Sequence, residues 1–468
     1  MENENKTFWE KHKVVVLLLL ILCVATFFRF AFLTTIPPGI HPDAAANALD
    51  AWNAYLNHHR PVFYPGNNGR EAMFINFISY SFQLFGTGFL AYKLPGCVIG
   101  VLSVLGMFFF GWEVTRKKYV GLLASFFMSI SFWMILFERT GLRAVFSVFC
   151  VTWTSYFFLK SLRTNKWYDY ALAGIFLGLG LNSYISFRML PFVVVLGFVY
   201  KIFLNRKINL APIGKSIWAY KKFILTIIFS AIVFSPLAVY FFQNRAAVLS
   251  RTSDVSVFSQ PHTLKLLAES TVANLSLFNF YGDPNWRHNF STLPALDAFQ
   301  GLLFIFGIII TIRYIFKKQF QSEETINFKT NYLYVLTAFA FMVIPSAITY
   351  SPGGIPHSLR IIDTAPSMFV LIAIAFFALY EKIKPCFSEN KKFLTAAIII
   401  VLAYLTINNA VLYFVRWGQS GEGAHEYSQD FTNLYTYINQ QANQGNKVLI
   451  SLHSIEVDYF TLTTPNVM

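Results

Sequence analysis

Residues 35–71 read TIPPGIHPDAAANALDAWNAYLNHHRPVFYPGNNGRE. They follow an apolar run near 14–33, and Asp43 is the first carboxylate after roughly 30 residues of mostly apolar chain. A carboxylate placed where a spanning helix leaves a bilayer costs little solvation, yet it can face a lipid headgroup at the same depth. The stretch goes on through Asp50, His58, His59 and Arg60 to Arg70 and Glu71, so several ionisable groups can converge on one interfacial cleft. Spacing serves equally well a solvated loop in which Asp43 caps a helix.

Composition decides the class. Of 468 residues, 55% are hydrophobic and 13% charged, with a mean hydropathy of +0.50, whereas ordinary globular chains carry about 25% charged residues. This describes an all-α polytopic membrane protein. The formal charge of +14 would suggest nucleic acid in a soluble chain; here it belongs to the loops and implies no nucleic-acid partner. Cys23, Cys97, Cys150 and Cys386 sit in or beside apolar runs without a CxxC pair, which indicates neither a disulfide framework nor a zinc site. The first apolar run is too long for a signal-peptide core and lacks a small-residue cleavage site, so it is expected to stay as an anchor.

Runs long enough to cross a core of about 30 Å fall near 14–33, 93–112, 119–137, 144–161, 168–187, 188–204, 222–242, 298–316, 331–350, 360–380 and 393–415. These predict about 11 transmembrane helices. The aromatic run 72–91 carries Asn76, Ser79, Ser81 and Gln83 and serves either as a further span or as a helix lying in the interface. Charge decides for the interface: without a crossing there, one side collects 23 Lys and Arg and the other 13, with Arg29 inside the first span. The basic-rich side should face the cytoplasm, with residues 1–13, and the C-terminus should lie outside.

Residue type separates the sides further. Ten of the thirteen outer basic residues are arginine: Arg60, Arg70, Arg139, Arg143, Arg188, Arg245, Arg251, Arg287, Arg360 and Arg416. The arginine fork suits bidentate phosphate binding, whereas lysine suits anchoring at an anionic leaflet. Several of these stand in short segments at span ends: ERTGLR with Glu138, Arg139 and Arg143, then SYISFR ending in Arg188. Within the long outer loop at 243–297, GDPNWRHN is a turn signal presenting Trp286, Arg287 and His288. The stretch SPGGIPHSLR at 351–360 carries His357 and Arg360 behind a Gly-Gly pair. Capping, headgroup anchoring or a plain turn would account for each of these segments taken alone.

Taken in order, the segments resemble a family: the bacterial branch of the polyprenyl-phosphate-sugar-dependent glycosyltransferases with the C-type membrane fold, the glycosyltransferase family 39-like group that includes protein O-mannosyltransferases and the aminoarabinose transferase of lipid A. The motifs carrying the resemblance are His41-Pro42-Asp43, Asn68-Gly69-Arg70-Glu71, Lys93-Leu94-Pro95, ERTGLR, GDPNWRHN and GGIPHSLR, over residues 14–415. The family's acidic motif is Asp followed by Glu, and here Ala44 follows Asp43.

The resemblance implies transfer of a hexosyl or pentosyl group from a polyprenyl-phosphate-linked donor to an acceptor hydroxyl of a protein, lipid or envelope glycan at the outer face. Asp43 would be the general base. Arg70, Glu71, Lys93, Glu138, Arg139, Arg143, Arg188, Arg287, His288, His357 and Arg360 would form the donor-phosphate and substrate site. A phosphate is already a fair leaving group, so no metal or other cofactor is expected to be compulsory. A lipid flippase or polymer ligase would share the outer arginines without needing Asp43, and a secondary transporter would set its charges near the midplane. Residues 416–468 read as the start of a small α/β segment, helix-like at Ser428–Ala442 and strand-like at Lys447–Leu452. It is too short to bury its own core, so either the chain stops short of a complete unit or this tail docks on the outer loops.

Overall fold

The structure, a computed structural model, describes residues 8–209, 213–245, 256–317, 322–349 and 354–446. Arg251, residues 351–353 of the Gly-Gly segment and the strand-like Lys447–Leu452 lie outside these residues. The chain is an all-α membrane bundle. Helix α1 (Phe8–Phe30) leads to α2 (Pro42–Leu56), a two-residue hairpin of β1 (Phe63–Tyr64) and β2 (Arg70–Glu71), and α3 (Met73–Phe85). Then come α4 (Phe89–Thr115), α5 (Lys118–Ile130), α6 (Phe132–Glu138), α7 (Ala144–Thr164), α8 (Trp167–Leu181), α9 (Leu190–Asn209), α10 (Ile213–Ala219) and α11 (Phe223–Gln243). The second half contributes α12 (Thr263–Ser276), α13 (Ala298–Phe316), α14 (Glu323–Ala347), α15 (Ala365–Ile383), α16 (Lys391–Ala410), α17 (Gly421–Glu426) and α18 (Gln429–Asn443).

Among the described residues nine helical segments are long and apolar enough to cross a membrane, and the pair α5–α6, bent by 61°, makes a tenth. The sequence predicts an unbroken span over 119–137. Its break falls at Ser131, whose extended backbone ends α5 and whose hydroxyl accepts the Met134 N–H to start α6. The remaining expected span, 168–187, holds only the 15-residue α8, about 22 Å of helix at 1.5 Å per residue. Its two ends are nevertheless tied to opposite ends of the bundle. Asp169 pairs with Lys160 at 3.0 Å, while Arg188, just past α8, pairs with Glu71 at 3.2 Å. Chain direction therefore alternates as the sequence implies, with a short helix and an extended exit completing the passage. Helix α3 does not traverse: Tyr64 donates to Asn76 near its start and Arg60 to Gln83 near its end, so both ends stay beside the same loop.

At the core, α4, α7 and α15 are buried along most of their length, whereas α1, α11 and α16 expose most of theirs, as peripheral helices facing lipid would. A polar layer pins α1 at the end that carries Asp43. Arg29 pairs with Glu138 at 2.7 Å, both side chains being fully enclosed, and donates to the Ser129 carbonyl at 2.8 Å. Arg139 donates to the carbonyls of Phe28, Ala31 and Ile36, and Lys93 to those of Leu33 and Pro37. Backbone carbonyls freed where a helix ends inside a protein need donors, and here three cationic side chains supply them. Removing one partner of a buried ion pair leaves the other charge uncompensated, so Glu138→Ala should destabilise the fold by about 3–5 kcal/mol. The midpoint of thermal unfolding in detergent, followed by thiol-reactive dye entry at the buried Cys97 and Cys150, measures this; an unchanged midpoint would contradict the assignment.

Candidate active site

Helix α2 begins where His41 turns its Nδ1 onto the Ala44 N–H (3.4 Å) and Pro42 presets the first turn. Asp43 thus sits in the first turn with its side chain half exposed, and it is His41, rather than Asp43, that caps the helix. Ala44, Ala45, Ala48 and Ala51 bury the other face. The segment Pro65-Gly66-Asn67-Asn68-Gly69 reverses the chain through three successive positive-φ residues (49°, 58° and 79°), so that Phe63 faces Glu71 and Tyr64 faces Arg70. This hairpin lays Asn67 on Asp43, amide to Oδ1 at 2.9 Å, and sends Arg70 to Asn47 (2.9 Å) and Asp50. Asp43, Asn47, Asn67, Arg70, Arg143 and Tyr184 line one polar cavity of about 190 Å³.

The opposite wall is basic. Glu71 is shared by Arg143 at 3.3 Å and Arg188 at 3.2 Å. Arg143 lies over the Tyr184 ring at 5.4 Å, and its Nη2 is buried without a hydrogen-bond partner, as is Nη1 of Arg360. Buried guanidinium groups with unused donors favour an anion with several acceptor oxygens. Burial raises the Asp43 carboxyl, but His41 beside it, the Asn67 amide, Arg287 and His288 outweigh that and hold it below the usual carboxylate range. Burial pushes His41 itself down to about 3, so the imidazole is neutral at physiological pH. Asp43 is therefore an ionised acceptor facing fixed positive charge.

The GDPNWRHN turn closes a second side. Asp283 accepts the N–H groups of Asn285 (2.9 Å) and Ser358 (2.7 Å), which joins this turn to the segment carrying His357 and Arg360. Arg287 then reaches between two carboxylates, 3.9 Å from Asp43 and 3.2 Å from Glu426 of α17. The C-terminal segment is docked rather than appended. Trp417 donates to the Trp286 carbonyl (3.0 Å), Tyr427 to that of Arg287 (3.1 Å), and the His41 ring meets Tyr427 edge-on at 5.5 Å. Gly39 packs so closely beneath it that a Cβ there would lie 2.1 Å from the Tyr427 carbonyl oxygen.

Asp43, Arg70 and Arg143 share the cavity, with Glu71 and Arg188 behind its basic wall and Arg287, His288, His357 and Arg360 on the adjoining turns. Three expected site residues lie elsewhere. Lys93, Glu138 and Arg139 are enclosed in the layer beneath, where their hydrogen bonds go to carbonyls at and just past the end of α1 and to Arg29; none of them lines the cavity. His58 and His59 are exposed at the far end of α2, and Arg60 stacks on Tyr80 at 4.1 Å, so the expected convergence of that whole stretch is limited to Asp43, Asp50, Arg70 and Glu71. Sequence reasoning missed Asn47, Asn67 and Glu426. The Asn-Asn-Gly turn was the signal for Asn67, and Glu426 carried none. Gly39→Val should displace the Tyr427 backbone and undock the segment, seen as faster limited proteolysis beyond Trp417; an unchanged cleavage pattern would show that the docking is loose.

Residues 72–240 match the family model of dolichyl-phosphate-mannose-protein mannosyltransferases. No curated protein sequence matches the chain. Among solved structures, ArnT from Cupriavidus metallidurans is similar in its apo state (TM-score 0.56, 12% identity, 98% of this chain and 85% of that one) and bound to undecaprenyl phosphate (TM-score 0.54). The oligosaccharyltransferase AglB from Archaeoglobus fulgidus, in complex with an inhibitory peptide and a dolichol-phosphate, is similar over 97% of this chain (TM-score 0.54, 12% identity). This chain spans 62% of that AglB chain's length. The resemblance read from the sequence is thus met by a family model and by two groups of structures, and the chain has the C-type glycosyltransferase fold. The match to the family model begins after the acidic stretch, so it does not include Asp43.

Proposed function

We propose that this multi-pass membrane protein transfers a single sugar from a polyprenyl-phosphate-linked donor to an acceptor hydroxyl, with Asp43 as general base. One observation carries the reading: the Asp43 carboxylate and the buried Arg143 guanidinium, which has an unused donor, line one polar cavity, and a second unused donor belongs to Arg360 on the adjoining turn. Asp43 takes the proton of the acceptor hydroxyl as its oxygen bonds to the anomeric carbon. The carbon–oxygen bond to the phosphate breaks, and polyprenyl phosphate departs with its charge held by Arg143 and Arg360, an arrangement that acts as an oxyanion hole does. A single displacement of this kind inverts the anomeric carbon. A carboxylate of low basicity suffices, because the hydroxyl becomes acidic only as its bond to carbon forms. The bound undecaprenyl phosphate and dolichol-phosphate of the two similar structures support the donor class.

Asp43→Asn keeps the shape and most hydrogen bonds, so donor binding should survive while transfer falls by about a hundredfold or more. Release of polyprenyl phosphate from a labelled donor in nanodiscs, with binding measured on the same preparation, reads both. A variant that binds donor and turns over near the parent rate would place the base elsewhere. Because Asp43 is held below the usual range, its active form is lost only as pH falls below about 3.9, and kcat/KM should show no acid limb from this group between pH 5 and 8. Arg143→Ala should weaken donor binding by about 2–3 kcal/mol, the range for a charge-assisted contact, with Glu71 still paired to Arg188. Equal affinity in parent and variant would make Arg143 a purely structural partner of Glu71.

The basic asymmetry further supports a cytoplasmic N-terminus and an outward-facing Asp43. Cysteines introduced at Lys117 and Lys221 should then be labelled by impermeant reagents only from the cytoplasm.

A further inference from the structure

We propose that Asp283, His288 and His357 form a binding site for one zinc-class divalent cation, a site separate from the base and phosphate contacts of the proposed transfer. One ligand atom from each of the three residues can be chosen such that all lie within 4.8 Å of one another. The two imidazole rings face each other at 4.9 Å with 36° between their planes. Two ligands on one zinc ion stand at most about 4.2 Å apart, given bonds of about 2.0–2.1 Å, so the group closes on an ion with movements under an ångström.

Three features distinguish this cluster from a chance meeting of polar side chains. First, the carboxylate is aimed from behind: backbone N–H groups of Asn285 and Ser358 each hold one of its oxygens, as second-shell donors orient metal ligands. Second, Nδ1 of His357 is buried without a hydrogen bond, while Nδ1 of His288, a residue only 7% exposed, lies 3.3 Å from Oδ2 of Asp283. Buried polar atoms in folded proteins have partners, and the His357 nitrogen lacks one beside a carboxylate that already faces the His288 nitrogen. Third, the ligands come from two separate loops that are already joined through Ser358 to Asp283, and the His357 N–H is held by Asn274 of α12 (3.2 Å). An ion at this point would fasten the two loops that carry Arg287 and Arg360.

The donor set fixes the class of ion. Magnesium and calcium take mostly oxygen ligands, and one carboxylate beside Arg287 and Arg360 would hold them poorly. Two imidazoles and a carboxylate suit zinc or its first-row neighbours, and they leave one coordination position open.

The test needs no turnover. Full-length protein, purified in detergent with its affinity tag removed and no chelator present, is analysed for metal by mass spectrometry. It is then stripped and titrated with Co²⁺, whose d–d absorption reports imidazole ligation. About one zinc-class ion per chain and a Co²⁺ spectrum are expected of the parent, and at least a tenfold weaker binding of His357→Gln and Asp283→Asn. His357→Gln keeps the backbone bond to Asn274, so its metal-free thermal midpoint should match that of the metal-free parent. A stripped parent that takes up no Co²⁺, or variants that titrate as the parent does, would overturn the proposal and leave the triad a hydrogen-bond cluster. Asp43→Asn, measured alongside, should bind Co²⁺ normally, which separates this site from the transfer reaction.

Discussion

A polypeptide leaving a helix inside a membrane bundle must give each freed carbonyl a donor, because lipid and packed protein supply none. Here the end of α1 is released over Ala31 to Pro37, and Arg139 and Lys93 gather the carbonyls of Phe28, Ala31, Leu33, Ile36 and Pro37. Arg29 and Glu138 close the layer as a buried ion pair. The position of everything above follows from this. His41 and Asp43 begin only four and six residues beyond Pro37, too short a tether for the carboxylate to wander far from the bundle's rim.

Charge is therefore divided between two tasks. Beneath the cavity the cations are engaged by backbone carbonyls and by Glu138. At the cavity Glu71 is divided between Arg143 and Arg188, and a donor on Arg143 remains unused, as does one on Arg360 in the adjoining turn. The lower layer spends most of its donors on backbone and on Glu138, with Nε of Arg29 and of Arg139 left unused, whereas at the cavity a spare donor on Arg143 faces open space. Keeping the two adjacent lets a positively charged cavity exist without loosening the helices around it.

The order of spans, the non-crossing run at 72–91 and the position of Asp43 just past α1 were legible in the sequence, because hydropathy, charge asymmetry and chain distance report them directly. Which arginine does what was not. Arg139 and Arg143 stand in one hexapeptide, ERTGLR, and look equivalent as text. Gly141, at a φ of 69°, turns the chain between them against Tyr92. That turn sends Arg139 down into the bundle and Arg143 up to the cavity, and no periodicity encodes it. The break at Ser131 was hidden because an N-cap serine inside an apolar run leaves the hydropathy of the run unchanged. Glu426 was invisible for a different reason: its partner Arg287 is far away in sequence, and only the docking of α17 brings them together.

That docking has a bearing on how the protein is made. The surroundings of Asp43 draw on Glu426 and Tyr427, which follow the last spanning helix among the described residues, while Trp417 at the end of that helix holds the Trp286 carbonyl. Until they arrive, His41 lacks the ring against which it rests and Arg287 has a single carboxylate to answer to. The first and last thirds of the polypeptide thus meet at one point, and the cavity acquires its finished electrostatics only once synthesis has passed the whole bundle. A nascent or prematurely interrupted chain would hold its spans in the bilayer with Asp43 in an unfinished setting.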